Sequence, residues 1–258
     1  MSGMGILDGR TIVLTGGGAG IGWGIAQACC EAGARVFFCQ RSDGEAKAEQ
    51  LRARGYDARF MQCDISSPKS LEAFASAAIG YYGEVHGLIN NAGVTIEGDF
   101  ATFPMEDLDR LWATNVRSIF LLTQYLLPVM PRGSSVVNVS SNHGTSSVAG
   151  YEMYAATKGA VAAMSRSLAW SLGKKGIRVN TLSPGLTRTE AVQKVIDGSP
   201  ALENGFNAMH ADNAFATMQE IGAIAAFLVS DGSKAMTGAE LIADHGMAAQ
   251  LCRDDELK

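Results

Sequence analysis

The chain has 258 residues, of which 47% are apolar, and a formal net charge of −5. This length and composition suit one large domain with a substantial buried core. The acidic balance and the absence of a dense Lys/Arg run argue against nucleic acid as the main partner. No apolar run approaches the length of a membrane span and no secretion signal opens the sequence, so a cytoplasmic protein without a membrane partner is expected. The five cysteines show neither metal-ligand nor disulfide spacing, so we expect reduced thiols and no metal site.

Helix-length amphipathic stretches alternate with short apolar runs along the chain. Runs such as 36–39 and 136–139 are almost entirely apolar, as strands are when helices cover both faces of a parallel sheet. On this pattern we predict seven strands, near 11–15, 35–39, 58–63, 85–89, 135–139, 177–182 and 240–244. No linker, repeat or low-complexity segment divides the sequence. The sequence therefore predicts an α/β fold in which residues 1–258 form a single domain around a doubly wound parallel sheet.

A glycine-rich turn, residues 15–22, follows the first predicted strand and opens into a helical stretch. In this context such a turn binds the diphosphate of a dinucleotide, whereas the same glycines elsewhere would form only a flexible loop. Gly16 permits the tight turn, Gly20 lets the backbone approach the ligand, and Gly22 lets the helix pack closely on its strand. The diphosphate would lie at the helix N-terminus, where free N–H groups and the helix dipole favour negative charge.

A second group of polar residues has the spacing of a proton-transfer site. Tyr154 and Lys158 are four residues apart in a helical stretch, so both side chains emerge on one face. An ordinary phenol has a pKa of about 10, and a neighbouring ammonium group favours the phenolate. Ser141 follows a predicted strand and could donate a hydrogen bond to an oxygen that gains charge as a hydride reaches its carbon. Taken alone, the pair would be an ordinary surface pair and the serine a strand-end cap.

Together these motifs resemble the short-chain dehydrogenase/reductase family, and the resemblance covers nearly the whole chain. The elements that carry it stand in the family's order: residues 15–22, 90–93, Asn115, Ser141, Tyr154 with Lys158, residues 184–185 and Thr189. A chance match to one element is easy, but a match to all of them in sequence is not. The resemblance implies a sheet of Rossmann type and an NAD(P)(H)-dependent enzyme that interconverts a secondary alcohol and a ketone by hydride transfer.

The resemblance also implies a role for each matching residue. Tyr154 would be the general acid/base and Ser141 would position the substrate. Lys158 would also bind the nicotinamide ribose, and Asn115 would support a water chain to that lysine. A buried structural hydrogen bond is the alternative for Asn115. The residues expected to contact the cofactor are Gly16, Gly18, Gly20, Ile21, Gly22, Gln40, Arg41, Asp64, Ile65, Asn91, Ala92, Gly93, Tyr154, Lys158, Pro184, Gly185, Thr187 and Thr189.

The end of the second strand bears on the choice between NAD and NADP. An acidic residue about 20 positions beyond the glycine turn would bind the ribose 2′-hydroxyl and select NAD. Here that position is the neutral Gln40, followed by Arg41, whose guanidinium matches a 2′-phosphate. We therefore expect NADP, with NAD as the alternative, unless Arg41 is a solvated residue held by Asp43. Asp64 resembles the family aspartate that contacts the adenine, or it caps the next helix.

The residues expected at the substrate are rich in hydrogen-bonding groups: Ser141, Asn142, His143, Tyr151 and Tyr154. A polar or polyhydroxylated alcohol or ketone would use these groups. The family also acts on steroids, acyl thioesters and sugars, and a loop histidine is often merely solvated. NAD-dependent oxidation is the second interpretation of the function. A non-catalytic dinucleotide-binding sensor is a third, although a sensor needs only the glycine turn.

Two further patterns concern motion and assembly. In residues 190–213, glycines, Pro200 and Asn207 are expected to interrupt any helix, which suggests a mobile substrate lid rather than an ordinary surface excursion.

Small residues recur on the Tyr154 helix at spacings of three and four, which lets helices approach closely. The resemblance implies that such helices pack across a two-fold axis in a homotetramer. Packing within one subunit is the alternative. His245 stands where many relatives carry glycine.

Overall fold

The computed structural model describes residues 5–250, so Cys252 lies outside the described part of the chain. The strands, in chain order, are β1 (Thr11–Thr15), β2 (Arg35–Gln40), β3 (Ala58–Gln62), β4 (Gly87–Asn90), β5 (Ser135–Val139), β6 (Arg178–Pro184), β7 (Thr187–Arg188), β8 (Ala216–Thr217) and β9 (Glu240–Ala243). The α-helices are α1 (Gly20–Glu31), α2 (Glu45–Ala53), α3 (Pro68–Tyr82), α4 (Met105–Trp112), α5 (Ser118–Leu126), α6 (Glu152–Gly173), α7 (Glu190–Ile196), α8 (Pro200–Asn207) and α9 (Met218–Val229).

Within residues 5–250, seven strands form one parallel sheet in the order β3-β2-β1-β4-β5-β6-β9. The predicted doubly wound sheet of Rossmann type is therefore confirmed, and each predicted strand overlaps an observed one. The chain leaves β1 towards β2 on one side and later enters β4 on the other. A crevice at the carboxyl ends of the strands is expected at that change of direction, and it is where ligands bind in such sheets.

Alternating strand residues supply the two faces of the sheet with apolar side chains. Ile12 and Leu14 of β1 pack with helices α1 and α9, whereas Val13 packs with α3, α5 and α6 on the opposite face. Helices α1 and α9 approach closely because glycines lie between them. A Cβ atom on Gly24 would collide with the carbonyl oxygen of Met218, and one on Gly222 with that of Gly24. These contacts hold α1 in place, and with it the glycine turn.

Residues 190–213 differ from the expectation that no helix forms there. Helix α7 begins after Thr189 and α8 after Ser199, and α8 runs through Gly205 and ends at Asn207. Each helix is started by a hydroxyl side chain that accepts a backbone N–H three residues on, and Pro200 adds a preset backbone angle at the first helical position. These local signals outweigh the helix-breaking composition.

The far end of this segment is attached to the loop after β9. The N–H of Ala211 donates to the carbonyl oxygen of His245 at 2.9 Å. The Nδ1 atom of His245 lies 2.7 Å from Oδ2 of Asp212. The backbone of His245 is left-handed, with φ of 50°, a conformation that suits glycine better. The histidine therefore links the substrate-side segment to the last strand of the sheet.

The structure also describes the cysteines, clusters of metal-ligating side chains and the length of apolar helices. Cys29, Cys30, Cys39 and Cys63 are free and buried. Among residues 5–250, no group of three or more His, Cys, Asp or Glu side chains is arranged to hold a metal ion. In the same range, no helix combines the length and apolarity needed to cross a bilayer.

Candidate active site

Two adjoining clefts lie at the carboxyl ends of the strands. The first, of about 430 Å³, we call the turn cleft; it is lined by Gly16, Ile21, Gly22, Gln40, Arg41, Asp64, Ile65, Asn91, Ala92, Gly93 and Thr189, among others. The second, of about 330 Å³, we call the Tyr154 cleft; it is lined by Ile21, Ser141, Asn142, His143, Tyr151, Tyr154, Gly185, Thr187 and Thr189, among others. Ile21 and Thr189 line both clefts, so a ligand could extend from one into the other.

Five of the sequence-predicted residues line neither cleft directly: Gly18, Gly20, Asn115, Lys158 and Pro184. Lys158 and Asn115 are buried, with 5% and 1% of their surfaces exposed. Pro184 ends β6 immediately before Gly185, which does line the Tyr154 cleft.

The glycine turn has a backbone that other residues would not adopt or fit. Gly16 and Gly20 are left-handed, with φ of 72° and 51°. A Cβ atom on Gly22 would collide with the carbonyl oxygen of Gly16 and lie 2.6 Å from Nδ2 of Asn91. That amide nitrogen itself donates to the carbonyl oxygens of Thr15 and Gly16, at 3.0 and 3.3 Å. Asn91 thus supports the backbone of the turn while it also lines the turn cleft.

The end of β2 presents a neutral amide and an exposed guanidinium to the turn cleft. The side chain of Gln40 lies against Gly18 and donates to the carbonyl oxygen of Asp43 at 2.8 Å. Arg41 is exposed, and Asp43 uses its carboxylate to accept the N–H of Glu45 at 2.9 Å. The carboxylate of Asp43 is thus engaged by the backbone, and Arg41 lies at the rim of the turn cleft.

Asp64 has a different local role from the helix cap that was the alternative. Its Oδ1 atom accepts hydrogen bonds from the N–H and the hydroxyl of Ser66, at 2.9 and 2.7 Å. Ser67, not Asp64, caps helix α3 by accepting the N–H of Ser70. The hydrogen bond from Ser66, assisted by the charge of Arg41, lowers the pKa of Asp64. The carboxylate is therefore ionised at the wall of the turn cleft.

Asn115 lies in a π-helical turn, Ala113–Arg117, between α4 and α5. Such turns are rare and frequently found at functional sites. The Oδ1 atom of Asn115 accepts the N–H of Val94 at 2.8 Å. Its Nδ2 donates to the carbonyl oxygen of Val94 at 2.9 Å and to Oγ1 of Thr157 at 3.1 Å. These are the structural hydrogen bonds of the alternative interpretation, and a water chain from Asn115 to Lys158 stays a prediction.

Tyr154 and Lys158 lie one turn apart on α6, next to the end of β5. The Nζ atom of Lys158 lies 5.7 Å from the centre of the Tyr154 ring and donates to the carbonyl oxygen of Val139 at 3.1 Å. Burial lowers the pKa of Lys158, and nearby Tyr154 opposes that effect. The arrangement places a buried ammonium group behind a phenol that faces the Tyr154 cleft.

Ser141 begins a short 3₁₀ turn at the end of β5 (Asn142–Gly144). Its Oγ atom accepts the N–H of His143 at 3.2 Å and donates to Oδ1 of Asn142 at 3.4 Å. The serine therefore does cap the local turn, as the structural alternative states, while also lining the Tyr154 cleft. Both long, weak contacts leave its hydroxyl able to turn towards a ligand oxygen.

The rim of the Tyr154 cleft is polar and aromatic. The His143 ring centre lies 4.9 Å from that of Tyr151 and 5.6 Å from that of Tyr154. Burial lowers the pKa of His143, so its imidazole is neutral at pH 7 and can both donate and accept a hydrogen bond. The hydroxyl of Tyr151 donates to Oε2 of Glu97 at 3.0 Å.

Sequence reasoning missed Glu97 and the opposite, apolar wall. Glu97 reaches Tyr151 across 54 positions of sequence, and no local pattern indicated that contact. The apolar wall of the Tyr154 cleft consists of Leu186, Val192, Phe206, Met209 and Met247. The positions of Val192, Phe206 and Met209 follow from α7 and α8, which the composition of the segment had argued against.

Comparisons with known proteins agree with this geometry. A family model described as "Enoyl-(Acyl carrier protein) reductase" matches residues 16–248. The chain is 34% identical to 2,5-dichloro-2,5-cyclohexadiene-1,4-diol dehydrogenase of Sphingobium indicum, over 94% of this chain and 98% of that enzyme. It is 33% identical to D-threitol dehydrogenase of Mycolicibacterium smegmatis, over 93% of each chain.

Solved structures agree in both fold and extent. A short-chain dehydrogenase/reductase from Serratia marcescens superimposes with a TM-score of 0.89 at 27% identity, over 94% of this chain and 99% of that one. A blue fluorescent protein from a metagenomic library, in complex with NADPH, gives 0.87 at 31% identity over the same shares. The chain therefore belongs to the short-chain dehydrogenase/reductase family and is an NAD(P)-dependent dehydrogenase that acts on CH–OH groups.

Proposed function

We propose that this protein interconverts a secondary alcohol and a ketone on a polar or polyhydroxylated small molecule, with NADP(H) as cofactor and Tyr154 as general acid/base. The observation that carries the proposal is the meeting of Ser141, Tyr154 and buried Lys158 beside a glycine turn. The β5 end and α6 supply these three residues, which are 13 and 4 positions apart in sequence. A non-catalytic sensor would have no use for this arrangement.

The turn cleft fits the diphosphate half of a dinucleotide. Gly16 and Gly22 line this cleft with backbone atoms. A Cβ atom on either glycine would collide with Asn91. Ile21 and Gly22 of the first turn of α1 line the cleft, and a helix N-terminus favours an anion. Asn91, Ala92 and Gly93 form the neighbouring wall. When bound, the nicotinamide cofactor would supply the hydride in reduction and accept it in oxidation.

The chain's own residues would handle the proton and the charge. Tyr154 would donate its hydroxyl proton to the substrate oxygen in reduction and take it back in oxidation. The ammonium group of Lys158, fixed by the carbonyl oxygen of Val139, favours the phenolate that forms after proton donation. Ser141 would donate a hydrogen bond to the same substrate oxygen as it gains charge.

The NADP preference rests on Arg41 at the rim of the turn cleft. A guanidinium recognises phosphate through charge and paired donors, and Gln40 offers no carboxylate to repel it. The solved NADPH complex of a relative supports this choice by likeness only. NAD-dependent oxidation is the second candidate, since Gln40 can also hydrogen-bond to an unmodified ribose.

The polar rim and the apolar wall together favour a small hydroxylated carbon skeleton. Neutral His143 and Tyr151 would contact substrate hydroxyls, and the wall formed by Val192, Phe206 and Met209 would contact the skeleton. The names of two relatives, a cyclohexadiene diol dehydrogenase and a D-threitol dehydrogenase, support a diol by likeness.

Ala156, Ala163 and Ser167 of α6 are exposed, which supports the close helix packing of a homotetramer.

An activity screen tests the proposal. Purified protein would be supplied with polyols, sugars, hydroxy acids and ketones, each with NAD(H) and with NADP(H), while the absorbance of the reduced nicotinamide is followed. We expect turnover of a polyol or hydroxyketone with NADP(H) preferred. Turnover confined to apolar steroids, or with NAD(H) alone, would contradict the substrate class or the cofactor choice respectively.

A further inference from the structure

Glu190, the first residue of α7, contacts the glycine turn. Its Oε2 atom accepts a hydrogen bond from the N–H of Gly20 at 3.2 Å. Thr189, the preceding residue, also packs against Gly20. A Cβ atom on this glycine would lie 3.3 Å from Cγ2 of Thr189. The start of α7 therefore rests on the N-terminus of α1, across 170 positions of sequence.

This N–H group has no other anionic partner built into α1. Ala19 at the N-cap makes no side-chain hydrogen bond, and the first turn of the helix holds no acidic residue. The amides of Gly16 and Gly17 donate instead to the carbonyl oxygen of Cys39, at 2.7 and 3.1 Å. The carboxylate of Glu190 thus supplies the negative charge that a helix N-terminus favours.

We propose that the Glu190 carboxylate and the cofactor diphosphate compete for the N–H of Gly20, so that Glu190 lowers the affinity for the dinucleotide. The inference rests on the proposed function, because it requires a diphosphate at the glycine turn. Two anions cannot share one donor at hydrogen-bond distance without strong repulsion. Binding of the cofactor therefore displaces the side chain of Glu190 from the turn.

The contact also connects the cofactor to the wall of the Tyr154 cleft. Glu190 and Val192 lie on the same short helix, and Val192 is part of the apolar wall. Arg188, just before the helix, forms an ion pair with Glu203 of α8 at 2.7 Å. Release of Glu190 therefore frees the start of the helix that carries Val192.

Cofactor titration of matched variants tests this competition. NADP and NAD would be titrated into wild-type, Glu190→Gln, Glu190→Ala and Asp197→Asn protein by calorimetry. Asp197, at the other end of α7, loses the same charge in its variant, and its carboxylate accepts a hydrogen bond from Gln193 of the same helix. We expect both Glu190 variants to bind the preferred cofactor roughly two- to tenfold more tightly, and Asp197→Asn to bind as wild type does.

Amide exchange gives a second measurement that needs no cofactor. In the cofactor-free protein, the N–H of Gly20 should exchange faster in Glu190→Ala than in wild type or Asp197→Asn, because its acceptor is removed. Equal exchange in all three proteins would show that the contact does not form and would overturn the inference.

The proposed function and the competition at Gly20 can be contradicted separately. Wild-type protein that binds neither dinucleotide would overturn the proposed function together with this inference. Wild-type protein that binds a dinucleotide, with unchanged or weaker binding in both Glu190 variants, would overturn the inference alone. An equal gain in Asp197→Asn would also overturn it, because net charge rather than the contact would then set the affinity.

Discussion

The Nζ atom of Lys158 donates a hydrogen bond to the carbonyl oxygen of Val139, the last residue of β5, across 3.1 Å. This bond joins the first half of α6 to the carboxyl end of β5, where the two clefts open. It gives the ammonium group a hydrogen-bond partner at a position where only 5% of the lysine's surface is exposed. The position of Tyr154, one helical turn away, follows from that attachment.

Tyr154→Phe removes one hydroxyl group and, under the proposed mechanism, the proton donor. We expect kcat on the best substrate to fall by about 10²-fold or more, with dinucleotide binding nearly unchanged. Tyr151→Phe is the matched control, since its hydroxyl bonds to Glu97 and its loss should affect KM rather than kcat. Steady-state kinetics and cofactor titration measure both quantities. Near-normal kcat in Tyr154→Phe would exclude the tyrosine as acid/base.

Lys158→Met tests the free-energy cost of burying the ammonium group. Burial lowers the pKa of Lys158 in the folded protein below its unfolded value of 10.5. The charged lysine therefore opposes folding below the folded pKa, and this penalty is relieved as pH rises through it. We expect the unfolding midpoint of wild type to rise relative to that of Lys158→Met as the pH increases towards the unfolded value of 10.5. A difference that does not vary with pH, measured by calorimetry, would contradict this.

Gly22→Val places a branched side chain against the carbonyl oxygen of Gly16. The turn must then move, so cofactor affinity should fall by more than about tenfold and the unfolding midpoint should drop. Gly80→Val in α3 is the control, because a Cβ atom there meets nothing within 4 Å. If a folded Gly22→Val protein bound the cofactor as wild type does, the turn would not be the diphosphate site.

Gln40→Asp combined with Arg41→Ile should move cofactor preference from NADP towards NAD. A charge-assisted hydrogen bond is worth about 1.5–3 kcal/mol, which corresponds to roughly a ten- to hundredfold change in affinity. The new carboxylate can accept from the ribose hydroxyls and repels a 2′-phosphate. Arg110→Ile, which removes another cation from the same cleft, is the control. A wild type that already prefers NAD, or a ratio unmoved in the double variant, would contradict the role of Arg41.

Local sequence patterns predicted the sheet and the glycine turn well because their causes are local. A strand buried on both faces requires an apolar run, and a left-handed turn requires glycine at Gly16 and Gly20. The helix α8 was missed for a reason that is also local, since the capping by Ser199 and Pro200 outweighs Gly205 and Asn207. At this helix the start signals therefore decide the local structure.

The missed parts of the site depend on contacts between distant positions. Glu97 reaches Tyr151, and Glu190 reaches Gly20, only after the sheet has brought the loops together. The three hydrogen bonds of Asn115 likewise join the loop after β4 to α6. An isolated polar residue in an apolar helix signals that partners exist, but the sequence does not say which partners they are.

Because His245 is linked to Asp212, the position of the apolar wall and the proton transfer at Tyr154 depend on different residues. Asp212 follows Met209 by three residues and His245 precedes Met247 by two, and neither Asp212 nor His245 lines the Tyr154 cleft. How firmly the wall is held is therefore set by residues that take no part in moving the proton. Changes at these two positions can alter the range of substrates admitted and leave the chemistry at Tyr154 as it is.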